Sequence, residues 1–248
     1  MPQWIEGRII EHIRWTERHH SLRVAAETGP FKAGQFTRLA LDIDGERVAR
    51  PYSFVNPPHE PVAEFYFNVV PEGPLSPRLA ALAEGDRLWL ARPPSGFLTL
   101  DEVPDAEDLW LVATGTGIGP FLSILRTAQP WARFRHVVLL YGVRHWAELA
   151  YRETIEALAA AHPDQFQFIP HVTREPPRYG VHGRIPQALE SGELERRTGL
   201  TIAPERSQFM LCGNQGMIDA VSGWLKAERG LRKNLRRAPG QITVEKYW

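Results

Sequence analysis

The 248-residue chain is short of several things, and each shortage removes a class of function. It has one cysteine, Cys212. A single thiol cannot form an internal disulfide, complete a structural zinc cage or hold an iron–sulfur cluster. No apolar run approaches the roughly 20 residues that cross a bilayer. The start, Met1-Pro2-Gln3-Trp4-Ile5-Glu6, lacks a basic region followed by an apolar core, so no signal peptide is expected. The formal net charge is zero, so no global field draws the protein to nucleic acid or a membrane surface. A hydrophobic content of 43% with 23% charged residues is that of a folded globular chain. With neither leader nor span expected, the default location is the cytoplasm, and a monomer is the expected state.

What is present divides near residue 100. Residues 4–16, 21–26, 35–43, 47–55, 63–70 and 86–92 alternate apolar and polar side chains, as half-buried strands do. Asp44-Gly45 joins two of them as a hairpin turn. Only 75–83 has helical spacing in this half, so a six-stranded antiparallel β-barrel with one short helix is expected. Two pieces of it point to phosphate and ring recognition. Arg50-Pro51-Tyr52-Ser53 combines a guanidinium fork, a flat ring and a small hydroxyl. Gly73-Pro74-Leu75-Ser76 is a turn opening the helix, with Ser76 where a helix cap or a phosphate ligand would sit. Taken singly, each also has a plainer reading: an edge-strand arginine, a strand aromatic, an ordinary N-cap.

From residue 109 the pattern becomes strands alternating with helices. Strands are expected at 109–113, 136–141, 166–172 and 209–212, and helices at 121–125, 148–161 and 217–228, with a partly helical connection at 185–194. Such alternation implies βαβ units and a Rossmann-like parallel sheet, whose ligands sit at the carboxyl ends of the strands. Two glycine turns fall there: Thr114-Gly115-Thr116-Gly117-Ile118-Gly119-Pro120 and Gly213-Asn214-Gln215-Gly216. The first lets backbone approach a ligand before a helix begins, and Pro120 suits a first helical turn. Its spacing differs from the dinucleotide fingerprint Gly-x-Gly-x-x-Gly, so a tight turn without a ligand is an equal reading locally. Arg144 and Arg174 follow the strands expected at 136–141 and 166–172, and Arg184 comes shortly after; an arginine in such a place suits a ribose 2′-phosphate. Arginine makes up 25 of the 29 basic residues, so one such arginine alone carries little weight.

These motifs together resemble bacterial ferredoxin–NADP reductases of the flavodoxin reductase type, over essentially the whole chain. The resemblance rests on Arg50-x-Tyr52-Ser53, Gly73-x-Leu75-Ser76, the Thr114–Pro120 turn, Leu211-Cys212-Gly213-Asn214 ahead of Met217, and the ending Val244-Glu245-Lys246-Tyr247-Trp248. It implies a FAD-binding barrel over 1–100 and an NADP-binding α/β domain over 101–248 with an aromatic tail returning to FAD. It implies that Arg50, Pro51, Tyr52 and Ser53 bind FAD, that Tyr66, Phe67, Asn68 and Val69 border the flavin ring, and that Pro74, Leu75 and Ser76 hold the FAD phosphates. Thr116 would lie where the two cofactors meet. Val143, Arg144, Thr173, Arg174 and Arg184 would receive the 2′-phosphate end of NADP(H), and Asn214, Gln215, Gly216 and Asp219 the rest. Tyr247 and Trp248 would cover FAD. Ser53, Cys212 and Glu245 are the expected catalytic residues. Proline at 51 departs from the small residue common in the family and removes a backbone donor.

The implied reaction passes electrons between NADPH and ferredoxin or flavodoxin through FAD. The acidic carrier would meet a local basic patch, for which the run Arg229, Arg232, Lys233, Arg236 and Arg237 competes with the reading of a solvated helix end. Other readings are the reductase component of an oxygenase, a free-flavin reductase, or a non-enzymatic NADP-binding sensor.

Overall fold

A computed structural model describes residues 3–246. The chain forms two compact units: residues up to Thr99 with Gly119–Thr127, and Leu100–Ile118 with the residues from Ala128 onward. The expected division at residue 100 had placed 119–127 in the second unit.

In the first unit, β1 (Gln3–Arg14), β2 (His19–Ala25), β3 (Phe36–Ile43), β4 (Glu46–Ser53), β5 (Val62–Asn68) and β6 (Arg87–Arg92) form an antiparallel sheet in the order β4-β3-β6-β1-β2-β5. Asp44 and Gly45 turn between β3 and β4 with φ of 52° and 83°, the two positive values that a type I′ hairpin needs. Alternate inward residues, among them Leu22, Val24, Leu39, Phe65, Leu88 and Leu90, make one apolar core. The outer strands β4 and β5 come together through one bridge, Phe54 to Phe65, reinforced by Val55 N donating to Glu64 O at 2.9 Å. The sheet therefore curls towards a barrel whose seam is closed at one level, and Arg50–Ser53 faces Tyr66–Asn68 without a ladder.

Helix α1 (Ser76–Leu79) is shorter than the expected 75–83. Helix α2 (Gly119–Leu125) is buried along its whole length. It is fastened to the barrel by Ser123 Oγ donating to Asn56 O at 2.7 Å, while Arg126 pairs with Glu60 at 2.5 Å. The buried Asn56 also accepts from Glu64 N at 2.9 Å, so a single amide ties the loop after β4 to β5 and, through its carbonyl, to α2. That explains why 119–127 groups with the barrel.

In the second unit, β7 (Asp108–Thr114), β8 (His136–Val143), β9 (Phe166–Val172), β10 (Val181–His182), β11 (Ser207–Gly213) and β12 (Ile242–Lys246) form a parallel sheet in the order β10-β9-β8-β7-β11-β12. The helices are α3 (Gln129–Arg133), α4 (Arg152–Ala161), α5 (Ile185–Glu190), α6 (Glu193–Thr198) and α7 (Gln215–Arg229). The central strands β7, β8 and β11 are almost wholly buried, which is why their sequences read as continuous apolar runs. On one face Trp110 and Phe209 stack at 5.4 Å, and Ile218, Val221 and Leu225 of α7 join the same core. At the amino ends of the strands the fully buried Asp108 accepts from His136 Nδ1 at 2.7 Å and Arg206 Nε at 2.8 Å. That cluster anchors the sheet at the end opposite the glycine turns.

Strand order reverses at β7: β8, β9 and β10 lie to one side, β11 and β12 to the other. The switch point thus falls between the carboxyl ends of β7 and β11, where both glycine turns emerge. In open parallel sheets this is the ligand-binding position.

Candidate functional site

In the barrel unit, β4 delivers the expected tetrad to the open seam. Proline is tolerated here because β4 is an edge strand, where a missing N–H need not cost a ladder bond. Arg50 and Pro51 are exposed, Tyr52 is half-buried, and Ser53 is 5% exposed. The Tyr52 ring packs on the barrel core and meets Phe67 edge-on at 6.0 Å. Burial pushes its phenol up to about 12, partly opposed by Arg50, so it stays neutral at physiological pH. Across the seam, Tyr66 and Phe67 are buried, Asn68 is exposed and Val69 N donates to Arg18 O at 2.7 Å. The structure thus brings Arg50–Ser53 and Tyr66–Asn68 to the same opening.

The turn before α1 has a different construction from the expected cap. The cap position is Leu75, and Ser76 Oγ instead accepts from Val70 N at 2.9 Å. This closes the 70–76 loop and holds the backbone of Gly73, Pro74 and Leu75 in a fixed turn. Arg78 adds a bond from its guanidinium to Pro74 O at 2.8 Å. Ser76 therefore shapes the loop through its buried hydroxyl, and is not an N-cap.

In the second unit, the two glycine turns interlock. Gly117 lies so close to β11 that an added Cβ would stand 2.5 Å from Cys212 O and 2.8 Å from Gly213 Cα. Gly213 has φ of +129°, and its Cβ would collide with Thr114 Oγ1. Thr114 Oγ1 in turn accepts from Asn214 N at 2.8 Å, while Asn214 Oδ1 caps α7 by accepting from Met217 N at 3.2 Å. Thr116 lies half-buried within a 3-10 turn over Gly115–Ile118, and the α-helix proper starts at Gly119. Gln215 donates to Asp219 at 2.6 Å and Lys246 stands 3.8 Å from the same carboxylate, so Asp219 is engaged within the protein. Buried Cys212 is the lateral partner of Glu245 on β12, a strand the sequence pattern did not disclose.

On the other side of the switch point, the pairing of β8 and β9 runs past the strand ends. Thr173 N donates to Val143 O at 3.2 Å and Arg174 N to Arg144 O at 2.9 Å. Arg144, Thr173 and Arg174 are thereby adjacent. Arg184 begins α5, its N–H donating to Gln187 Oε1 at 3.2 Å, directly after the edge strand β10. All three arginines are exposed, and each follows the carboxyl end of one of three neighbouring strands. Two acidic residues that the sequence reading passed over hold this corner: Glu148 accepts from Arg144 N at 3.0 Å, and Glu175 from Trp146 N at 2.5 Å. Glu175 has no sequence signal, because its partner backbone lies on another loop. Tyr247 and Trp248 lie outside the described residues. Among the described residues no group of three or more metal-ligating side chains converges, and no helix is long and apolar enough to cross a membrane.

A doubly wound sheet with interlocked glycine turns at its switch point defines a nucleotide-binding oxidoreductase unit, and residues 111–223 match the family model of the oxidoreductase NAD-binding domain. Flavodoxin/ferredoxin–NADP reductases of Shigella flexneri and Escherichia coli are each 46% identical to the chain over 248 residues, with both proteins covered completely. A solved ferredoxin NADP+ reductase from Neisseria gonorrhoeae with bound FAD and NADP superposes with a TM-score of 0.93 at 32% identity, covering 99% of each chain. The chain belongs to the flavodoxin/ferredoxin–NADP reductase family.

Proposed function

We propose that this protein is a flavoenzyme that exchanges electrons between NADPH and a ferredoxin or flavodoxin through FAD. The observation that carries the reading is the full-length 46% identity to reductases of that name. The residues present fit both nucleotides. The open seam of the barrel offers a flat neutral phenol, an exposed guanidinium that donates to Ala49 O at 2.7 Å, and the two outer strands of the sheet. The arginine corner offers three charged forks at the strand ends of the parallel sheet.

FAD, when bound, supplies the ability to exchange a hydride on one side and single electrons on the other. Tyr52 would give the flavin ring a packing face, with Tyr66–Val69 bordering it from the opposite strand. Arg50 and the turn of Pro74, Leu75 and Ser76 would hold the FAD phosphates. Pro51 contributes shape and no donor. Ser53 would offer its hydroxyl to the reactive edge of the ring. Arg144, Thr173, Arg174 and Arg184, with Val143 beneath them, would take the 2′-phosphate. Thr116 and Asn214, Gln215 and Gly216 would hold the remainder of the nucleotide, with Asp219 steadying Gln215. Cys212 would pack against the nicotinamide and Glu245, its lateral neighbour, would orient or relay a proton there. The assignment of residues 1–100 to FAD and 101–248 to NADP, a cytoplasmic location and a monomeric state belong to the same reading.

The test is an absorbance spectrum followed by anaerobic additions. A yellow preparation bleached by NADPH well before NADH, and turning over ferricyanide, is the expected result. A colourless protein would leave only a nucleotide sensor. Flavin lost on gel filtration would point to a free-flavin reductase.

A further inference from the structure

The loop that leaves β8 has three successive backbone N–H groups, and all are satisfied by the protein's own carboxylates. Arg144 N donates to Glu148 Oε2 at 3.0 Å, His145 N to the same oxygen at 3.5 Å, and Trp146 N to Glu175 Oε1 at 2.5 Å. A run of N–H groups in a turn would otherwise be an anion nest. Here it is filled from within, so a phosphate arriving at this corner is left to the arginine side chains.

The two carboxylates play different parts. Glu148 closes its own loop, accepting from Arg144 N and His145 N. Glu175 sits one residue after Arg174, on the loop leaving β9, and reaches back to the loop leaving β8. Its second oxygen stands 3.7 Å from His145 Nδ1. The β8–β9 backbone bonds end with Arg174 N on Arg144 O. Past that point, Glu175 is hydrogen-bonded from the segment carrying Arg174 to the segment carrying Arg144, beside ring contacts of Trp146 with Tyr179 at 5.1 Å and with the Arg178 guanidinium at 5.8 Å.

We infer that Glu175 is a positioning residue for nucleotide choice: by pinning Trp146 N and pairing with His145, it fixes the spacing between the Arg144 and Arg174 side chains that take a 2′-phosphate. The inference rests on the reading of those arginines as the phosphate site. An acidic residue beside an anion site is unfavourable in charge alone, and a charge-assisted bond to backbone offsets that partly screened repulsion. Discrimination between nucleotides with and without the phosphate depends on both arginines being in place at once.

The test compares 2′-phospho-AMP with 5′-AMP by titration calorimetry on the flavin-loaded full chain. Wild type should prefer the 2′-phosphate. Glu175→Ala should reduce that preference about tenfold, the scale of one charge-assisted hydrogen bond. Glu175→Gln, which keeps an oxygen acceptor for Trp146 N, should restore most of it. A general weakening of the fold would lower both affinities together and leave their ratio unmoved. A wild-type ratio in Glu175→Ala, or equal loss in Glu175→Ala and Glu175→Gln, overturns the assignment to the backbone tie. A wild type that binds both ligands alike, or a ratio indifferent to Arg144→Ala and Arg174→Ala, overturns the arginine reading itself and the inference with it.

Discussion

Ser53 ends an edge strand, is almost wholly buried, and stands in register opposite Phe36. Its hydroxyl is small enough to be removed without a large cavity. Ser53→Ala is therefore expected to lower the rate of hydride transfer by about tenfold or more, on the scale of losing one positioned donor, while FAD stays bound. A single-turnover rate equal to wild type would remove Ser53 from the chemistry. His171 presents a different residue-level consequence. It is fully buried in β9, and burial lowers its pKa from 6.5 to about 4, against a smaller opposing effect of the Gly183 backbone. The folded state thus holds a neutral ring where the unfolded chain would take up a proton. Stability is complete above pH 6.5 and declines as pH falls towards 4, by about 3 kcal/mol in total. Urea unfolding of wild type and His171→Gln between pH 7 and pH 4.5 should show a steeper fall for wild type. Parallel pH profiles would contradict it.

Among the elements, the two glycine turns are the least forgiving. Gly213→Ala would need a strained φ and would push a methyl into Thr114, whose backbone O and N lie 2.7 and 2.9 Å from the added carbon. A loss of about 2 kcal/mol or more is expected in denaturant unfolding, with weaker nucleotide binding, because Asn214 N would also be drawn off Thr114 Oγ1. Gly223→Ala is the control: it lies inside α7, where an added Cβ meets nothing within 4 Å, and should be neutral or slightly stabilising. The glycine turns were legible in the sequence because apolar runs flank them, and the Asp44-Gly45 hairpin because only a few dipeptides take two positive φ values. The strands β10 and β12 were not, since two and five residues carry too little periodicity to count. The cap alternative for Ser76 fails for a related reason. A serine at a helix start is a cap by default, and only the fold reveals that its hydroxyl turns back to Val70. Asn56 and Glu175 act on backbone brought near by the fold, which no local pattern encodes.

At the scale of the molecule, zero net charge means that attraction of an acidic carrier must come from a local patch. Of the basic run, Arg229 pairs with Glu195 and Arg236 with Glu102, each at or below 2.8 Å, while Arg232, Lys233 and Arg237 add charge around them. Carrier reduction should slow several-fold as salt rises from about 50 to 300 mM, while ferricyanide reduction changes far less. A flat profile with the carrier would exclude docking by charge. The barrel seam, joined at Phe54 and Phe65, has a consequence of its own. The amides of residues 50, 52, 53 and 66–68 belong to the two outer strands of the sheet, each laddered to a single neighbour. Their deuterium uptake should be quick next to the inner strands and should slow when flavin lodges there, so that a small molecule serves as the missing stave.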